Sequence, residues 1–274
     1  MSTRSLVTRR TFIADLGRGS VALAVIAIAG CGPALSSATS RSSSGPSASG
    51  TPRPPSPSSA SGGGAASPSS ASTSPASSPG AGFAWTRVNL GFVSAYILVH
   101  GGEAVIVDTG VAGSDDDIET ALGSIGLGWD EVGHVILTHK HGDHAGSAEA
   151  VLAAATGATG YAGAEDLPNI TAPRPLTAVA DGATVAGLRI IATPGHTAGH
   201  VAVLDEAGGI LVAGDALGTA TGVLAGSNPQ FTEDAAAAKA TVAKLGGLHF
   251  ETLLVGHGDP ILTGASAQVA ALKP

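Results

Sequence analysis

"THKHGDHAG", residues 138–146, places three histidines and one aspartate within six residues, from His139 to His144. The whole chain of 274 residues has nine histidines, so this stretch concentrates imidazole strongly. It continues the short apolar run "HVILT" (134–138), which we predict to be a β-strand. The stretch therefore predicts a functional site at the end of that strand.

The spacing within the stretch favours metal binding. Side chains two residues apart on an extended strand project to the same side, so His139 and His141 are expected to converge on one ion. Gly142 is expected to permit a sharp turn, after which Asp143 and His144 would point at a second location. Imidazole and carboxylate ligands suit Zn²⁺ or another borderline divalent ion.

Three later segments repeat one pattern, an apolar run followed by glycine and a ligand-type side chain. They are "ATPGHTAGH" (192–200), "LVAGDAL" (211–217) and "LLVGHGDP" (253–260), which present His196, Asp215 and His257. Strand ends that deliver polar side chains to one edge of a sheet are a common way of building an α/β site. We therefore expect these three side chains to meet the first stretch.

The remaining pattern alternates strands and helices, which predicts an α/β layered domain. The predicted elements are hairpins over 93–110 and 200–215, helices over 114–126, 145–156 and 233–245, and strands over 188–193 and 252–258.

The series H-x-H-x-D-H, P-G-H-T, G-D and G-H, in this order and each after a strand, resembles the metallo-β-lactamase superfamily. The resemblance covers nearly all of residues 83–274. It implies an αββα sandwich with a binuclear metal site at one edge. The metals would be two divalent ions, with zinc favoured and manganese or iron as alternatives.

The resemblance also implies a role for each motif residue. Seven ligands would hold two ions: His139, His141 and His196 the first, Asp143, His144 and His257 the second, and Asp215 both. A hydroxide shared by the metals would attack the substrate, and Asp143 would accept or donate the proton.

Residues beyond the ligands carry weaker expectations. Asp108, in "VIVDTG", matches an acid that orients a ligand imidazole, and a turn-forming Asp-Thr-Gly is the alternative. His200 is expected beside the ligands or in a structural role. Tyr161 could donate a hydrogen bond to a leaving group, although a place at the end of a core strand is favoured. Substrate contacts are expected from segments 161–176 and 216–234.

The motifs also narrow the branch of the superfamily. Asp215 disfavours the β-lactamases proper, which lack a bridging carboxylate there, and resembles the glyoxalase II, lactonase and phosphodiesterase branches. Only 17 residues follow His257, so the helical extension of a glyoxalase II is not expected. We predict hydrolysis of a small ester, lactone or thioester. The alternatives are β-lactam or phosphodiester hydrolysis, or a non-catalytic metal-binding lipoprotein.

Composition excludes other classes. Residues 83–274 carry 7 Lys plus Arg against 20 Asp plus Glu, and this net charge of −13 makes nucleic acid an unfavourable partner. The only cysteine is Cys31, so this region has no disulfide, thiolate ligand or cysteine nucleophile. The expected partner is a small-molecule substrate, and the oligomeric state stays open.

The N-terminal residues predict export. Arg9 and Arg10 precede an uncharged run of 12 residues (19–30), too short to span a membrane, and this resembles a twin-arginine signal over residues 1–31. "IAGC" before Cys31 resembles a lipobox, which predicts a lipid anchor on the outer face of the cytoplasmic membrane. Residues 32–82 are Ser, Pro, Gly and Ala-rich and predict a disordered linker. Residues 83–274 would form the hydrolase domain.

Overall fold

The computed structural model describes residues 82–273. The predicted export signal (1–31), the lipidation site Cys31 and all but the last residue of the predicted linker lie outside the described residues. Within residues 82–273, no helix combines the length and the apolar character needed to cross a membrane.

The first sheet has six strands that neighbour one another in chain order. Its strands are β1 (Ala84–Asn89), β2 (Ser94–His100), β3 (Glu103–Val107), β4 (Val132–Ile136), β5 (Thr159–Gly163) and β6 (Thr177–Val179). The first three pair antiparallel through short turns, and β3 to β6 pair parallel. The parallel half therefore brings the carboxyl ends of its strands to one edge.

The second sheet has five strands in the order β13-β10-β9-β8-β7. These strands are β7 (Thr184–Val185), β8 (Leu188–Ala192), β9 (Val201–Asp205), β10 (Ile210–Val212) and β13 (Thr252–Leu254). A separate two-stranded ribbon joins β11 (Leu217–Gly218) to β12 (Ala225–Gly226). Strand β13 runs parallel to β10, so both end at the same edge.

Within residues 82–273, four α-helices accompany the sheets: α1 (Asp115–Ser124), α2 (Ala148–Ala154), α3 (Ala235–Leu245) and α4 (Ala265–Ala270). Helix α1 has three aspartates in its first turn, which suits the helix dipole. Helix α3 begins at Asp234, whose carboxylate accepts hydrogen bonds from the backbone N–H groups of Ala236 and Ala237.

Three buried layers establish the αββα order. Alternate residues of β2 face opposite ways: Ile97 packs with Leu122 of α1, whereas Leu98 packs between the sheets with Ile190 of β8. The outer face of the second sheet packs on α3 and α4 through residues such as Leu245. The predicted αββα sandwich is confirmed.

The structure corrects several element boundaries. Strand β4 ends at Ile136 instead of 138, and helix α2 occupies 148–154 instead of 145–156. Seven of the described strands and α-helices were not predicted: β1, β5, β6, β7, β11, β12 and α4. Strand β1 is an edge strand of mixed polarity, and α4 has only six residues, so neither carries a clear apolar period.

Candidate metal centre

Each predicted ligand segment reaches the site from the end of a strand. His139 follows β4, His196 follows β8, Asp215 follows β10 and His257 follows β13, each by three or four residues. All four strands end at one edge of the sandwich. The strand ends are thus responsible for bringing together residues up to 118 positions apart.

Three imidazoles meet in what we term the first cluster, His139, His141 and His196. The Nδ1 atom of His141 lies 3.0 Å from Nε2 of His139 and 2.9 Å from Nε2 of His196. Because β4 ends at Ile136, the convergence of His139 and His141 does not come from strand alternation as predicted. It comes from an irregular loop that hydrogen bonds hold in place.

The second cluster consists of Asp143, His144 and His257. Nε2 of His257 lies 3.2 Å from Oδ2 of Asp143 and 3.4 Å from Nε2 of His144. The side chain of His144 is fully buried, whereas those of Asp143 and His257 are about a quarter exposed. This cluster therefore has one face open to solvent.

Asp215 lies between the two clusters. Its Oδ1 is 3.2 Å from His144, and its Oδ2 is 3.4 Å from His196 and 3.3 Å from His257. The same carboxylate thus contacts imidazoles of both clusters, as a bridging ligand would. The structure brings all seven predicted ligands together.

The donor set fits divalent cations. The ligand atoms of each cluster lie within 4.8 Å of one another, and so do those of His139, His144 and Asp215. Within the described residues, Oδ1 of Asp215 is buried and makes no hydrogen bond, although Nε2 of His144 lies 3.2 Å away. Buried lone pairs of this kind are costly unless a cation or proton satisfies them.

The pKa values of His139 and His196 favour neutral imidazoles. Burial lowers the pKa of His139 well below its usual value and that of His196 to about 4. Burial also works against an ionised Asp215, but its contacts with His144 and His257 outweigh this effect and lower the Asp215 pKa. Neutral imidazoles beside an anionic carboxylate are the protonation states in which these residues bind metal.

The second cluster differs in charge from the first cluster. The reason is that several carboxylates lie within the second cluster or next to it. The hydrogen bond with Asp143 raises the pKa of His257 to about 10 and lowers that of Asp143 itself. Burial opposes a charged His144, but Asp108 and Asp215 together outweigh it and raise the His144 pKa. A cation bound here would replace the protons that these imidazoles otherwise carry.

Asp108 stabilises the site through hydrogen bonds to the residues around it. Its Oδ2 lies 2.8 Å from Nδ1 of His144, and its Oδ1 accepts a 2.7 Å hydrogen bond from the backbone N–H of Thr138. Its φ of 64° is a left-handed conformation that aspartate tolerates better than most residues. Asp108 therefore both makes a tight turn and orients an imidazole, so the two expectations hold together.

His200 holds the backbone of Asp215. Its Nε2 accepts a 3.1 Å hydrogen bond from the Asp215 N–H, which requires that Nδ1 carries the proton and donates it to Thr193 Oγ1 at 2.7 Å. Burial lowers the pKa of His200 to about 3, so the ring stays neutral. His200 belongs to neither cluster and positions Asp215 instead.

Sequence reasoning missed Asp166. This fully buried carboxylate accepts hydrogen bonds from the Lys140 N–H at 3.1 Å, the Thr197 hydroxyl at 2.6 Å and the Gly199 N–H at 3.1 Å. It thereby ties the loop of His139 and His141 to the loop of His196. Its partners are 26 to 33 residues away, so no local pattern could have revealed it.

Glycine is required at Gly256 and not at Gly142. A Cβ at Gly256 would lie 2.5 Å from Oδ1 of Asp215 and 2.6 Å from Cε1 of His144. A Cβ at Gly142 would meet nothing within 4 Å, and the φ of Gly142 is not positive. The chain does turn here, since the N–H groups of His144 and Ala145 donate to the His141 carbonyl, but the turn does not depend on glycine.

A cavity of about 610 Å³ opens above the clusters. Segment 216–234 contributes much of its wall, as predicted, but segment 161–176 contributes none. That segment packs against the core beneath the first sheet, through residues such as Leu176. Tyr161 is likewise absent from the wall, because its hydroxyl lies 3.1 Å from Nδ1 of His134 and its ring packs on the central core.

An αββα sandwich with two His/Asp clusters at one sheet edge defines a class of metal-binding proteins. Residues 88–257 match the Metallo-beta-lactamase superfamily. The chain belongs to this superfamily, and the family prediction is confirmed. Metallo-beta-lactamase domain-containing protein 1 of Xenopus laevis is 32% identical over 187 residues, which cover 63% of this chain and 74% of that protein.

Two bacterial relatives match over shorter stretches. The hydroxyacylglutathione hydrolase of Acidiphilium cryptum (strain JF-5) is 40% identical over 130 residues, which cover 45% of this chain and 49% of that protein. The uncharacterized protein YobT of Bacillus subtilis (strain 168) is 28% identical over 146 residues, which cover 45% of this chain and 61% of YobT. The chain thus spans about half to three fifths of these two relatives.

Solved structures share the fold. A metallo-beta-lactamase family protein from Thermus thermophilus has a TM-score of 0.56 and 24% identity, covering 69% of this chain and 77% of that one. TTHA1623, solved in a di-iron-bound form, has a TM-score of 0.56 and 24% identity, covering 66% of this chain and 94% of that one. At this identity the likeness shows the fold.

Proposed function

We propose that this chain is a hydrolase that uses two divalent metal ions to cleave a small ester, lactone or thioester. The observation that supports this proposal most directly is that Asp215 contacts imidazoles of both clusters. The first cluster would hold one ion, the second cluster the other, and Asp215 both. When bound, the two cations supply a water of lowered pKa and stabilise negative charge that develops on a substrate oxygen.

The side chains of the chain supply position and proton transfer. Asp143 lies on the cavity floor, and its partly exposed carboxylate can accept a proton from the attacking water and pass it to the leaving group. Asp108, His200 and Asp166 fix the orientation of the ligands. No cysteine occurs in residues 83–274, so a thiol nucleophile plays no part.

Nitrogen and oxygen ligands without thiolate favour zinc, and manganese and iron suit the same set. The hydroxyacylglutathione hydrolase relative, named for a thioester substrate, supports an acyl substrate. β-Lactam hydrolysis, phosphodiester hydrolysis and metal binding without catalysis are the alternative outcomes of the test.

The test is an activity screen of the full chain loaded separately with Zn²⁺, Mn²⁺ and Fe²⁺. The substrates are carboxylic esters, lactones, thioesters, phosphodiesters and β-lactams. We expect turnover of at least one acyl class, and a loss of at least about 10³-fold in His139→Ala with an unchanged circular dichroism spectrum. Absence of turnover with every metal, or full activity in His139→Ala, would overturn the proposal.

We also propose that the chain is exported and anchored through a lipid on Cys31 to the outer face of the cytoplasmic membrane. The Arg9-Arg10 pair, the uncharged run and "IAGC" support this proposal. Cell fractionation tests it. Wild type should sediment with membranes and Cys31→Ser should be released, while replacement of both arginines by lysine should retain the chain in the cytoplasm. A soluble wild type would contradict the anchor.

A further inference from the structure

The cavity has a polar floor and an apolar wall. Five predicted ligands form the floor: His141, Asp143, His196, Asp215 and His257. Ten other residues form the wall: Phe92, Leu217, Gly218, Ala220, Thr221, Ala225, Gly226, Asn228, Pro229 and Phe231. Of these ten, only Thr221 and Asn228 have polar side chains, and none is charged. When part of a substrate contacts the floor, the remainder of that substrate therefore contacts the apolar groups of the wall.

Two exposed aromatic rings belong to this wall. Phe92 is 63% exposed and lies in the loop between β1 and β2, whereas Phe231 is 59% exposed and follows the β11–β12 ribbon. Large apolar side chains exposed beside a cavity mark a binding surface more often than scattered ones do. The two rings come from separate segments of the chain, and both line the cavity.

No cationic side chain of the described residues lines the wall. Residues 82–273 contain seven lysines and arginines, and none of them lines the cavity. Carboxylates and phosphates are bound in proteins mainly by such side chains. Five of the seven are bonded elsewhere: Arg87 to Asp259, Lys140 to Glu233, Arg174 to backbone carbonyls of and after α2, Arg189 to Glu206 and Lys244 to Asp181.

Lys140 is the clearest example of a basic residue that is bonded away from the cavity, because it lies between two predicted ligands in the chain. Its ammonium group lies 2.8 Å from Glu233 and 3.8 Å from the buried Asp166, and it does not line the cavity. The basic residue nearest to the site in sequence is therefore committed to structural ion pairs.

We infer that the substrate is a neutral ester or lactone with an apolar chain remote from the bond that is cleaved. The inference rests on the proposed function and narrows its substrate class. It disfavours glutathione thioesters, which carry two carboxylates, and it disfavours β-lactams and phosphodiesters, which are anionic. The apolar chain would lie along Phe231 and the β11–β12 ribbon, with the carbonyl above the clusters.

The reaction needs no reactant other than water. The oxygen of water forms a bond to the acyl carbon, and the bond from that carbon to the alkoxy oxygen breaks. One proton of water passes to the leaving alkoxide. The products are a carboxylic acid and an alcohol, joined in one hydroxy acid when the substrate is a lactone.

Phe231 is the better residue for a test. The backbone carbonyl of Phe92 accepts a 2.7 Å hydrogen bond from His257 Nδ1, and the Phe92 ring stacks on the His257 ring. Substitution of Phe92 would therefore disturb a predicted ligand. Val223 gives a matched control, since it is 68% exposed on the same segment and does not line the cavity.

The experiment compares two series of p-nitrophenyl esters on the metal-loaded full chain. One series runs from acetate to hexanoate, and the other has the same lengths with a terminal carboxylate. We expect kcat/KM to rise about fourfold per methylene in the first series, as burial of methylene groups predicts. The terminal carboxylate should lower kcat/KM by about 100-fold at equal length.

Two variants test whether the wall causes the dependence of kcat/KM on chain length. Phe231→Ala should lower kcat/KM for hexanoate at least about tenfold more than it lowers kcat/KM for acetate, which flattens the chain-length dependence. Val223→Ala should behave as wild type. Calorimetry gives a readout without turnover: hexanamide should bind to wild type more tightly than its carboxylate-bearing counterpart adipamate, and Phe231→Ala should remove the difference.

The outcomes separate the two proposals. A flat series or a preference for carboxylate-bearing esters, with acetate turned over, would overturn this inference alone. No turnover of any ester, lactone or thioester, including acetate, would overturn the proposed function and this inference with it.

Discussion

Asp108 and His144 are joined by a 2.8 Å hydrogen bond between Oδ2 and Nδ1. An ionised carboxylate can only accept, so Nδ1 of His144 carries the proton and Nε2 faces Asp143, Asp215 and His257. The contact thus selects the tautomer that can bind a metal. It is the kind of outer contact that raises the basicity of a metal-binding imidazole.

Replacement of Asp108 by asparagine should weaken metal binding. Asparagine tolerates the left-handed backbone, but its single acceptor oxygen cannot serve both Thr138 and His144. We expect metal affinity to fall about 10–100-fold in a competition titration. Asp205→Asn is the control. Asp205 is also a buried aspartate that accepts from backbone N–H groups, but it lies at the far end of β9. Equal losses in both variants would contradict a specific role for Asp108.

Asp166→Ala should loosen the two loops of the first cluster. The variant leaves the N–H groups of Lys140 and Gly199 without their acceptor, at a cost of about 1–3 kcal/mol each in unfolding free energy. We also expect metal affinity to fall at least about tenfold, because His196 loses its fixed relation to His141. Asp181→Ala removes an exposed carboxylate that also pairs with a lysine, Lys244. Its metal affinity should match wild type.

Gly256→Ala should disrupt the site although it adds a single methyl group. The added Cβ would overlap the Asp215 carboxylate and the His144 ring, and both must shift. We expect activity to fall at least about 100-fold, since ligand displacements of about 1 Å cost that much. Gly142→Ala lies between ligands in the chain but has free space, so it should retain wild-type activity. Comparable activity in the two variants would contradict the packing described.

Tyr96 should make the fold sensitive to alkali. Its buried hydroxyl donates to the Val255 carbonyl at 2.8 Å, and burial raises the Tyr96 pKa from 10.0 to about 12. The folded state thus disfavours the phenolate. Stability from this group is complete below about pH 10 and falls by about 1.4 kcal/mol per unit up to about pH 12. Denaturant titrations across this pH range should show a smaller slope in Tyr96→Phe. Identical slopes would contradict this assignment.

The sequence was sufficient to predict the layers of the fold and the membership of both clusters. The ligand motifs follow strands, and parallel strands end at one edge, so local patterns placed His139, His196 and His257 on the same side. The apolar runs of β2, β9 and β10 similarly specified buried strands. These features depend on residues close together in the chain.

What the sequence did not reveal depends on contacts between distant segments. Asp166 stands in the unremarkable stretch "AGAEDLP", and only the fold brings it to Thr197. Phe92 becomes part of the cavity because the turn between β1 and β2 reaches His257, 165 residues later. The space at Gly142 and its absence at Gly256 likewise follow from tertiary packing, which no local pattern encodes.

The most direct test of the central claim is metal stoichiometry by plasma mass spectrometry, measured together with ester turnover on the full chain and on Asp215→Ala. We predict two equivalents of divalent metal in the loaded wild type, at most one tightly bound equivalent in Asp215→Ala, and loss of turnover in the variant. One or no metal in the wild type, or full turnover in Asp215→Ala, would contradict a two-metal hydrolase.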